Sequence, residues 1–511
     1  MLAVLDYGGQ YCDLIARRIR ALGVYAEVFP NTTTATDFKK TKNKVEGLIL
    51  SGGPKSVYEN NAPTIEKSAL TMGVPVLGIC YGHQLLAHIL GGKVVPSRRE
   101  YGKEVFATAK NSRLLRGLAR EEQVWMSHGD SVVRLPQGFF LIGGTQECKI
   151  AAYADEKRRV YGLQFHPEVQ HTPHGMKILD NFLKICGCKR TYSIKGLDKK
   201  LVAEIKASVG NGAVIMGVSG GVDSLVASAL IKAANPKIYC VFVDHGIIRK
   251  GEAEYVRRLY EKLEFKHYYY ADASQIFYTR LKGVTDPEQK RKIIGHTFIE
   301  VFENKVKELK AKHGEIKFLG QGTIYPDRIE SAKASKAAAV IKTHHNVGGL
   351  PEKMRLKLIE PLKDLYKDEV RQLGIMMGLP KEALMRHPFP GPGLAVRILG
   401  EITAERIGIV QEADLIFTEE LKRSGQYDKI WQAFAALLPV KAVGVMGDSR
   451  SYGYIIVLRA VTSLDGMTAD WAKIPAEVLE RAASRIVKEA RGVTRVLYDV
   501  TQKPPATIEY E

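Results

Sequence analysis

The sequence predicts an α/β protein with two doubly wound domains, followed by a small α+β C-terminal domain able to dimerise. A strand, a glycine-rich turn and a helix follow one another at 213–229, and the same order recurs at 74–90, which is typical of doubly wound sheets. Two antiparallel-looking strands at 443–446 and 454–460 indicate the α+β unit. The predicted domains are 1–190, 191–390 and 391–511.

Apolar runs and helical periodicity place the individual elements. The strands expected in the doubly wound domains are 2–5, 47–50, 74–79, 160–165, 213–218, 238–243 and 318–322. The expected helices include 12–22 and 83–90 in the first domain and 403–423 and 475–491 in the last. A closing strand is expected at 494–500.

Composition narrows the class of protein. The 511 residues are 45% hydrophobic and 26% charged, a typical globular balance. The net charge of +19 suits anionic metabolites or nucleic acid. No basic block with interleaved aromatics stands out, so nucleic acid is the less favoured partner. Six scattered cysteines indicate free thiols in the cytoplasm. No signal peptide or apolar run of about 18 residues is present, so we expect no membrane association.

A cysteine turn stands out in the first domain. The strand at 74–79 ends in Gly78-Ile79-Cys80-Tyr81-Gly82, just before a helix. Small residues on both sides of the cysteine fit a nucleophile elbow, where the helix N-terminus favours a thiolate. The alternative is a cysteine that serves as a small buried hydrophobe. The pattern favours a catalytic Cys80.

A nucleophilic cysteine needs a base, and His166 is the best candidate. It follows the apolar run 160–165, and Glu168 lies two residues on, where it could orient the imidazole. His171 and His174 are rivals, but they lie in a loop and are expected to lack such a carboxylate.

Four motifs give the first 190 residues a resemblance to class I glutamine amidotransferases. These are Asp6-Tyr7-Gly8, Ser51-Gly52-Gly53-Pro54, the cysteine turn and Phe165-His166-Pro167-Glu168. The resemblance implies glutamine as substrate, with Cys80 as nucleophile, His166 as general acid/base and Glu168 as orienter. It also implies oxyanion N–H groups at Gly53 and Tyr81, and Gln84 near the substrate. His83 and Gly9 depart from the family's usual Met and Ser, away from the triad.

A second turn, Ser219-Gly220-Gly221-Val222-Asp223-Ser224, joins a strand to a helix. Backbone N–H groups at a helix start favour phosphate, and glycines let the anion approach. A Walker A loop would end in Gly-Lys-Ser/Thr, whereas Asp-Ser suits a hydroxyl grip on pyrophosphate, with Asp223 for Mg²⁺. The alternative is an ordinary turn of a doubly wound sheet.

This loop resembles that of the N-type ATP pyrophosphatases, which form adenylates and leave the acceptor open. The resemblance implies ATP and Mg²⁺. The basic segment 327–357 is either a solvated loop or a lid over the phosphates, and its glycines favour the lid. Lys342, Lys363 and the pair His344/His345 would neutralise phosphate charge. The predicted ATP-binding residues are Ser219, Gly220, Gly221, Val222, Asp223, Ser224, Val243, Lys342 and Lys363.

Three features of the chain resemble those of glutamine-hydrolysing ligases that aminate xanthosine monophosphate (XMP). They are the domain order, the motif His-Pro-Phe-Pro-Gly-Pro-Gly at 387–393 and the closing motif Lys-Pro-Pro-Ala-Thr-Ile-Glu at 503–509. That resemblance implies a homodimer and an adenylated XMP intermediate. It also implies an XMP site, in which Arg495 and Lys503 fit the phosphate and Glu509 fits purine N–H groups. The implied residues are Gln432, Arg495, Lys503, Ile508 and Glu509.

Two alternatives stay open. A glutamine-dependent NAD synthetase would fit the pyrophosphate loop but not the closing motif. A basic RNA-binding or tRNA-thiolating protein would need further reactive cysteines near the loop, and only Cys240 falls on a nearby strand. The tail itself could be a flexible terminus or a preset arm.

Overall fold

The computed structural model describes residues 1–235, 237–328, 356–446, 449–463, 466, 468–503 and 505–511. The chain divides into two compact units, Met1–Ser193 and Ile194–Glu511. The second unit contains two separate sheets. All six cysteines are free thiols, as expected. No helix within the described ranges is both long and apolar enough to cross a membrane.

The first unit is built on a nine-stranded sheet of order β2-β1-β3-β4-β9-β8-β7-β5-β6. Its strands are β1 Leu2–Asp6, β2 Ala26–Pro30, β3 Gly47–Leu50, β4 Val76–Ile79, β5 Lys93–Thr108, β6 Glu121–Arg134, β7 Phe140–Gly144, β8 Ala152–Asp155 and β9 Val160–Leu163. Its helices are α1 Cys12–Ala21, α2 Ala35–Lys39, α3 Lys67–Leu70, α4 Tyr81–Ile89 and α5 Gly175–Cys186. The five neighbouring strands β2, β1, β3, β4 and β9 are parallel to one another. Strands β8, β7, β5 and β6 extend the sheet in antiparallel pairs.

The parallel strands follow from their composition. Every residue of β3 and β4 is buried, as expected where helices cover both faces of a parallel sheet. The strands predicted at 2–5, 47–50, 74–79 and 160–165 are confirmed to within two residues at either end. The long hairpin of β5 and β6 has no counterpart among the predicted elements.

A five-stranded parallel sheet of order β12-β11-β10-β13-β14 opens the second unit. Its strands are β10 Ala213–Gly217, β11 Ile238–Asp244, β12 Tyr268–Asp272, β13 Ile316–Gly320 and β14 Lys357–Ile359. Its helices are α6 Leu197–Val209, α7 Val222–Ala234, α8 Glu252–Lys262, α9 Ser274–Leu281, α10 Pro287–His313, α11 Lys367–Met376 and α12 Lys381–Leu384. The strand order reverses between β10 and β13, so their carboxyl ends form the switch point where such sheets bind ligands.

The last sheet is mixed. Its strands are β15 Gln432–Met446, β16 Ser449–Thr462, β17 Asp470–Trp471 and β18 Val493–Asp499, with helices α13 Ala404–Arg423 and α14 Ala476–Glu489. β15 and β16 form an antiparallel hairpin much longer than the two predicted runs, and β18 pairs in parallel with β16. The α+β character is confirmed.

The chain's last residues are anchored to this sheet. The buried Arg459 side chain donates hydrogen bonds of 2.8 Å to the carbonyl oxygens of Thr507 and Ile508. Glu511 pairs with the buried Lys290 and accepts from Gly400 N at 3.2 Å. These bonds hold the tail as a fixed arm, the second of the two forms considered from its sequence.

Candidate active sites

The turn between β4 and α4 holds Cys80 in a strained conformation. Its φ of 54° and ψ of −106° are rare for a residue with a side chain. The flanking glycines are required, since a Cβ on Gly82 would lie 2.3 Å from the carbonyl oxygen of Leu50, and one on Gly78 would lie 2.4 Å from that of Gly82. The turn therefore has the geometry of a nucleophile elbow.

The side chain of His166 lies beside Cys80. A Cβ on Gly52 would lie 3.6 Å from Cys80 Cβ and 3.9 Å from His166 Nε2, so both side chains meet above this glycine. His166 Nδ1 is 2.6 Å from Glu168 Oε1. Burial disfavours the imidazolium, but the negative charge of Glu168 and the contact with Cys80 outweigh it and raise the pKa of His166 to about 10. An imidazolium beside a thiol is the arrangement that produces a reactive thiolate.

The two rival histidines have other partners. His174 Nδ1 lies 2.6 Å from Glu122 Oε2, so the expectation that His174 lacks a carboxylate is wrong. That carboxylate belongs to β6, 52 residues before His174 in the sequence. The His174 side chain is 63% exposed. His171 stacks on Trp125 with ring centroids 4.4 Å apart. These contacts point to structural roles for both rings.

The predicted glutamine-binding residues surround the elbow. Tyr81 is the first residue of α4, so its N–H has no acceptor within its own helix. A Cβ on Gly53 would lie 3.3 Å from Tyr81 Cγ, which places that glycine against the elbow. Gln84 Nε2 donates to Asp130 O at 2.8 Å. The structure thus brings Gly53, Tyr81 and Gln84 together near Cys80, and their roles stay predictions.

Strand β6 contributes backbone groups that the sequence did not reveal. Cys80 Sγ donates to Ser127 O at 3.4 Å, and His166 N donates to Trp125 O at 3.0 Å. In the sequence, β6 shows only a weak alternation of apolar and polar residues, because its buried positions include Glu122, His128 and Asp130. Polar residues at buried positions conceal the period of two that marks a half-buried strand.

The predicted pyrophosphate loop lies at the switch point of the five-stranded sheet. It joins β10 to the 13-residue helix α7, and Gly220 has a φ of 70°. The hydroxyls of Ser219 and Ser224 lie 3.3 Å apart. A Cβ on Gly322, which follows β13, would lie 3.0 Å from Ser224 N. The loops after the two switch-point strands therefore touch.

Asp223 offers an oxygen that fits a magnesium ion. Its Oδ1 is buried and accepts no hydrogen bond from the residues that the structure describes. Its Oδ2 lies 3.4 Å from Lys367 Nζ, a cation that sequence reasoning missed. Carboxylate oxygens are the ligands that Mg²⁺ prefers, so the unpartnered Oδ1 fits the predicted metal role.

The remaining predicted ATP contacts differ in how well they are placed. Val243 is buried near the carboxyl end of β11, and Lys363 is exposed in the turn that follows β14. Both therefore lie at the edge of the sheet that carries the loop. Lys342, His344, His345 and most of the predicted lid lie outside the described residues.

One further group of potential metal ligands occurs among the described residues. Donor atoms of Glu100, His128 and Cys148 all lie within 4.8 Å of one another. However, Glu100 Oε2 is already 2.8 Å from His128 Nε2. Burial chiefly raises the pKa of Cys148 to about 12, so its thiol stays protonated. This chemistry fits a close Glu–His contact better than a metal site.

Two of the predicted XMP residues, Gln432 and Glu509, meet beside Arg397. Gln432 Nε2 donates to Glu509 Oε1 at 2.6 Å, and the fully buried Arg397 guanidinium donates to both oxygens of Glu509, at 2.9 and 3.0 Å. Ile508 is buried in the adjoining apolar cluster. Lys503 Nζ donates to a backbone carbonyl at 2.8 Å. Arg397 was not predicted, because nothing local marks it.

Arg495 lies elsewhere on the sheet. Gln432 pairs with Val461 of β16, whereas Arg495 pairs with Ile455, six residues back along the same strand. At the rise of a strand this is about 20 Å. The structure therefore does not bring Arg495 together with the other predicted XMP residues.

The elbow, its paired His166 and Glu168, and the sheet that carries them define the first unit as a class I glutamine amidotransferase. The second unit carries the loop from Ser219 to Ser224. The family model for glutamine amidotransferase class-I matches residues 3–186, and that for the GMP synthase C terminal domain matches residues 419–510. The chain belongs to the glutamine-hydrolysing GMP synthase family.

The similarity to relatives in this family extends over the full chain. The sequence is 54% identical over 511 residues to GMP synthase [glutamine-hydrolyzing] of Carboxydothermus hydrogenoformans, with 99% of both chains covered. It is 52% identical to the same enzyme of Symbiobacterium thermophilum and 50% identical to that of Caldicellulosiruptor saccharolyticus, each with 100% of this chain and 99% of the relative covered.

Proposed function

We propose that this protein converts XMP to GMP, takes the nitrogen from glutamine, and drives the reaction by splitting ATP into AMP and pyrophosphate. The observation that carries the proposal is the 2.6 Å bond between His166 and Glu168 beside the strained Cys80, in a chain whose second unit bears the serine and glycine loop. The full-length similarity to GMP synthases supports the same reaction.

The first unit releases ammonia. The Cys80 thiolate attacks the amide carbon of glutamine, and the His166 imidazolium protonates the departing nitrogen. Backbone N–H groups of Gly53 and Tyr81 stabilise the oxyanion, at about 2.7–4 kcal/mol for each donor. Water then attacks the thioester while His166 accepts its proton, and glutamate leaves. Glu168 keeps the imidazole oriented throughout.

The second unit activates the purine. ATP binds with its phosphates on the loop from Ser219 to Ser224, where hydroxyls and the start of α7 meet the negative charge. The 2-oxygen of XMP attacks the α-phosphorus and displaces pyrophosphate. Ammonia then adds at carbon 2 of the purine and AMP leaves. Asp223 would hold Mg²⁺, which when bound neutralises phosphate charge. Lys363 adds a cation at the same edge.

The tail recognises the XMP base in this proposal. Glu509 accepts hydrogen bonds from purine N–H groups, Gln432 contacts the base, and Ile508 packs against it. Arg397 supports the site, since its two bonds fix the Glu509 carboxylate. Of the two cations that the family resemblance assigns to the XMP phosphate, we keep Lys503 and leave out Arg495, because Arg495 lies about 20 Å along β16 from Gln432.

We also propose a homodimer formed through the C-terminal sheet. Support comes from apolar side chains that are exposed on or beside this sheet: Val440, Val443, Val445, Tyr452 and Leu497. Val445 is 76% exposed and Tyr452 is 68% exposed, although both are residues of a long hairpin. Exposed apolar strands of this kind promote association.

Free thiols support a cytoplasmic location.

The test is an assay of the purified protein with ATP, Mg²⁺, XMP and glutamine. We expect GMP, AMP, pyrophosphate and glutamate in equal amounts. Nicotinic acid adenine dinucleotide in place of XMP serves as the control for an NAD synthetase. Formation of AMP with that dinucleotide, and not with XMP, would overturn the proposal.

A further inference from the structure

Glu100 of β5 and His128 of β6 form a buried pair behind the cysteine elbow. The two residues lie directly opposite each other in the strand register, and Glu100 Oε2 is 2.8 Å from His128 Nε2. Their side chains are 4% and 1% exposed. Thr145 Oγ1 donates to the other carboxylate oxygen at 3.3 Å. Nothing in the proposed mechanism uses this pair.

The pair lies next to a bulge in β5. The register passes from Pro96 opposite Asp130 to Glu100 opposite His128, so three residues of β5 face one residue of β6. Such a bulge interrupts the ladder of backbone hydrogen bonds. Glu100 and His128 are the first residue pair after this bulge, where the regular register resumes.

Two carbonyls on either side of His128 reach the active site. Ser127 O accepts from Cys80 Sγ at 3.4 Å, and Asp130 O accepts from Gln84 Nε2 at 2.8 Å. His128 Nδ1 is 2.9 Å from the same Asp130 O. Since a carbonyl only accepts, Nδ1 carries the proton. The ring thus fixes one carbonyl directly and lies next to the other.

We propose that Glu100 and His128 are positioning residues for glutamine hydrolysis: Glu100 holds the His128 ring, and the ring holds the segment 127–130 so that its carbonyls meet Cys80 and Gln84. The inference rests on the proposed glutaminase role of Cys80. A displacement of about 1 Å at a reacting group costs up to about a hundredfold in rate, so a supporting pair of this kind has measurable consequences.

The experiment compares Glu100→Leu with Glu100→Gln in the full-length protein. Leucine removes the contact of the Glu100 carboxylate with His128 Nε2 and leaves the bond of Nδ1 to Asp130 O in place. The glutamine amide can donate to or accept from Nε2, so it keeps a hydrogen bond whether or not that nitrogen is protonated. We expect Glu100→Leu to lower the kcat/KM of glutamine hydrolysis at least tenfold, and Glu100→Gln to stay within threefold of the unchanged protein. GMP formation from ammonium ions should be the same in both. His128→Asn, which removes the contact with Glu100, provides a second measurement should Glu100→Leu fail to fold.

Asn181→Ala is the matched control for a loss of stability alone. Asn181 is buried in α5 of the same unit, and its amide bonds the carbonyls of Leu114 and Arg116. We expect this variant to lower the Tm of the protein while its glutamine kcat/KM stays within twofold. The proposal is overturned if Glu100→Leu and His128→Asn also stay within twofold, if Asn181→Ala loses activity in parallel with them, or if ammonium-dependent synthesis falls too. A Cys80→Ala variant that still hydrolyses glutamine would instead overturn the proposed function.

Discussion

His166 Nδ1 lies 2.6 Å from Glu168 Oε1, and both residues are almost completely buried. Burial alone would lower the pKa of the imidazole, so the raised pKa of about 10 depends on the negative groups around it. The histidine therefore carries its proton at neutral pH and loses it only in strongly basic solution. The resting site is an imidazolium that faces the nucleophile.

Glu168→Gln should reduce glutamine hydrolysis. Without the carboxylate, the pKa of His166 falls from about 10, so the imidazolium is lost at lower pH and the thiolate loses its counterion. We expect kcat/KM at pH 7.5 to fall by roughly 10²-fold, as for loss of general acid/base function. The measurement is the pH profile of hydrolysis, whose basic limb should move to lower pH. An unmoved limb with unchanged rates would contradict the role of Glu168.

Gly322→Ala should weaken the use of ATP. The new Cβ would lie 3.0 Å from both Asp223 C and Ser224 N, so the start of α7 must shift. We expect KM for ATP to rise about tenfold in ammonium-dependent synthesis, which corresponds to about 1.4 kcal/mol. Gly295→Ala is the control, because its Cβ meets nothing within 4 Å in the middle of α10. That variant should keep its KM and gain about 1 kcal/mol in stability. Equal KM values in the two variants would argue against a close fit at the loop.

Glu509→Gln should raise KM for XMP. The amide loses the charge that pairs with Arg397 and offers purine N–H groups a weaker acceptor. We expect a rise of about tenfold, from the loss of one charge-assisted bond. Glu511→Gln makes the same chemical change in the same tail, where the carboxylate contacts Lys290. It should leave KM for XMP within twofold. The role of Glu509 fails if the two variants behave alike.

Val445→Arg should separate the subunits of the proposed dimer. A charge at this exposed position on the hairpin opposes burial against a second copy. Light scattering during gel filtration should show half the mass of the unchanged protein. Val105→Arg, at an exposed position of β5 in the first unit, is the control and should keep the original mass. If the protein without substitutions is a monomer, the proposed dimer is wrong.

The strands that could be predicted from the sequence are those whose residues are apolar without interruption on one face or on both faces. The runs that end at Cys80 and at Ser219 are apolar throughout, because helices cover both faces of their sheets. The glycines in both turns are also local signals, since a Cβ would lie 2.3 Å from Leu50 O at Gly82 and 2.5 Å from Val256 Cγ2 at Gly220.

Prediction from the sequence failed where the fold brings single polar residues together. The buried side of β6 carries Glu122, His128 and Asp130, which hide its alternating pattern. Arg397 and Lys367 are isolated charges whose partners, Glu509 and Asp223, lie more than a hundred residues away. No window of sequence contains both members of such a pair. Tertiary folding alone reveals them.

The most direct test of the account is Cys80→Ala in the full-length protein, assayed with glutamine and then with ammonium ions at saturating ATP, Mg²⁺ and XMP. Glutamine should no longer support GMP formation, because the nucleophile is gone. Ammonium ions should still support it at the rate of the unchanged protein. Continued glutamine hydrolysis, or loss of both activities in a folded variant, would contradict the division of the reaction between the two units.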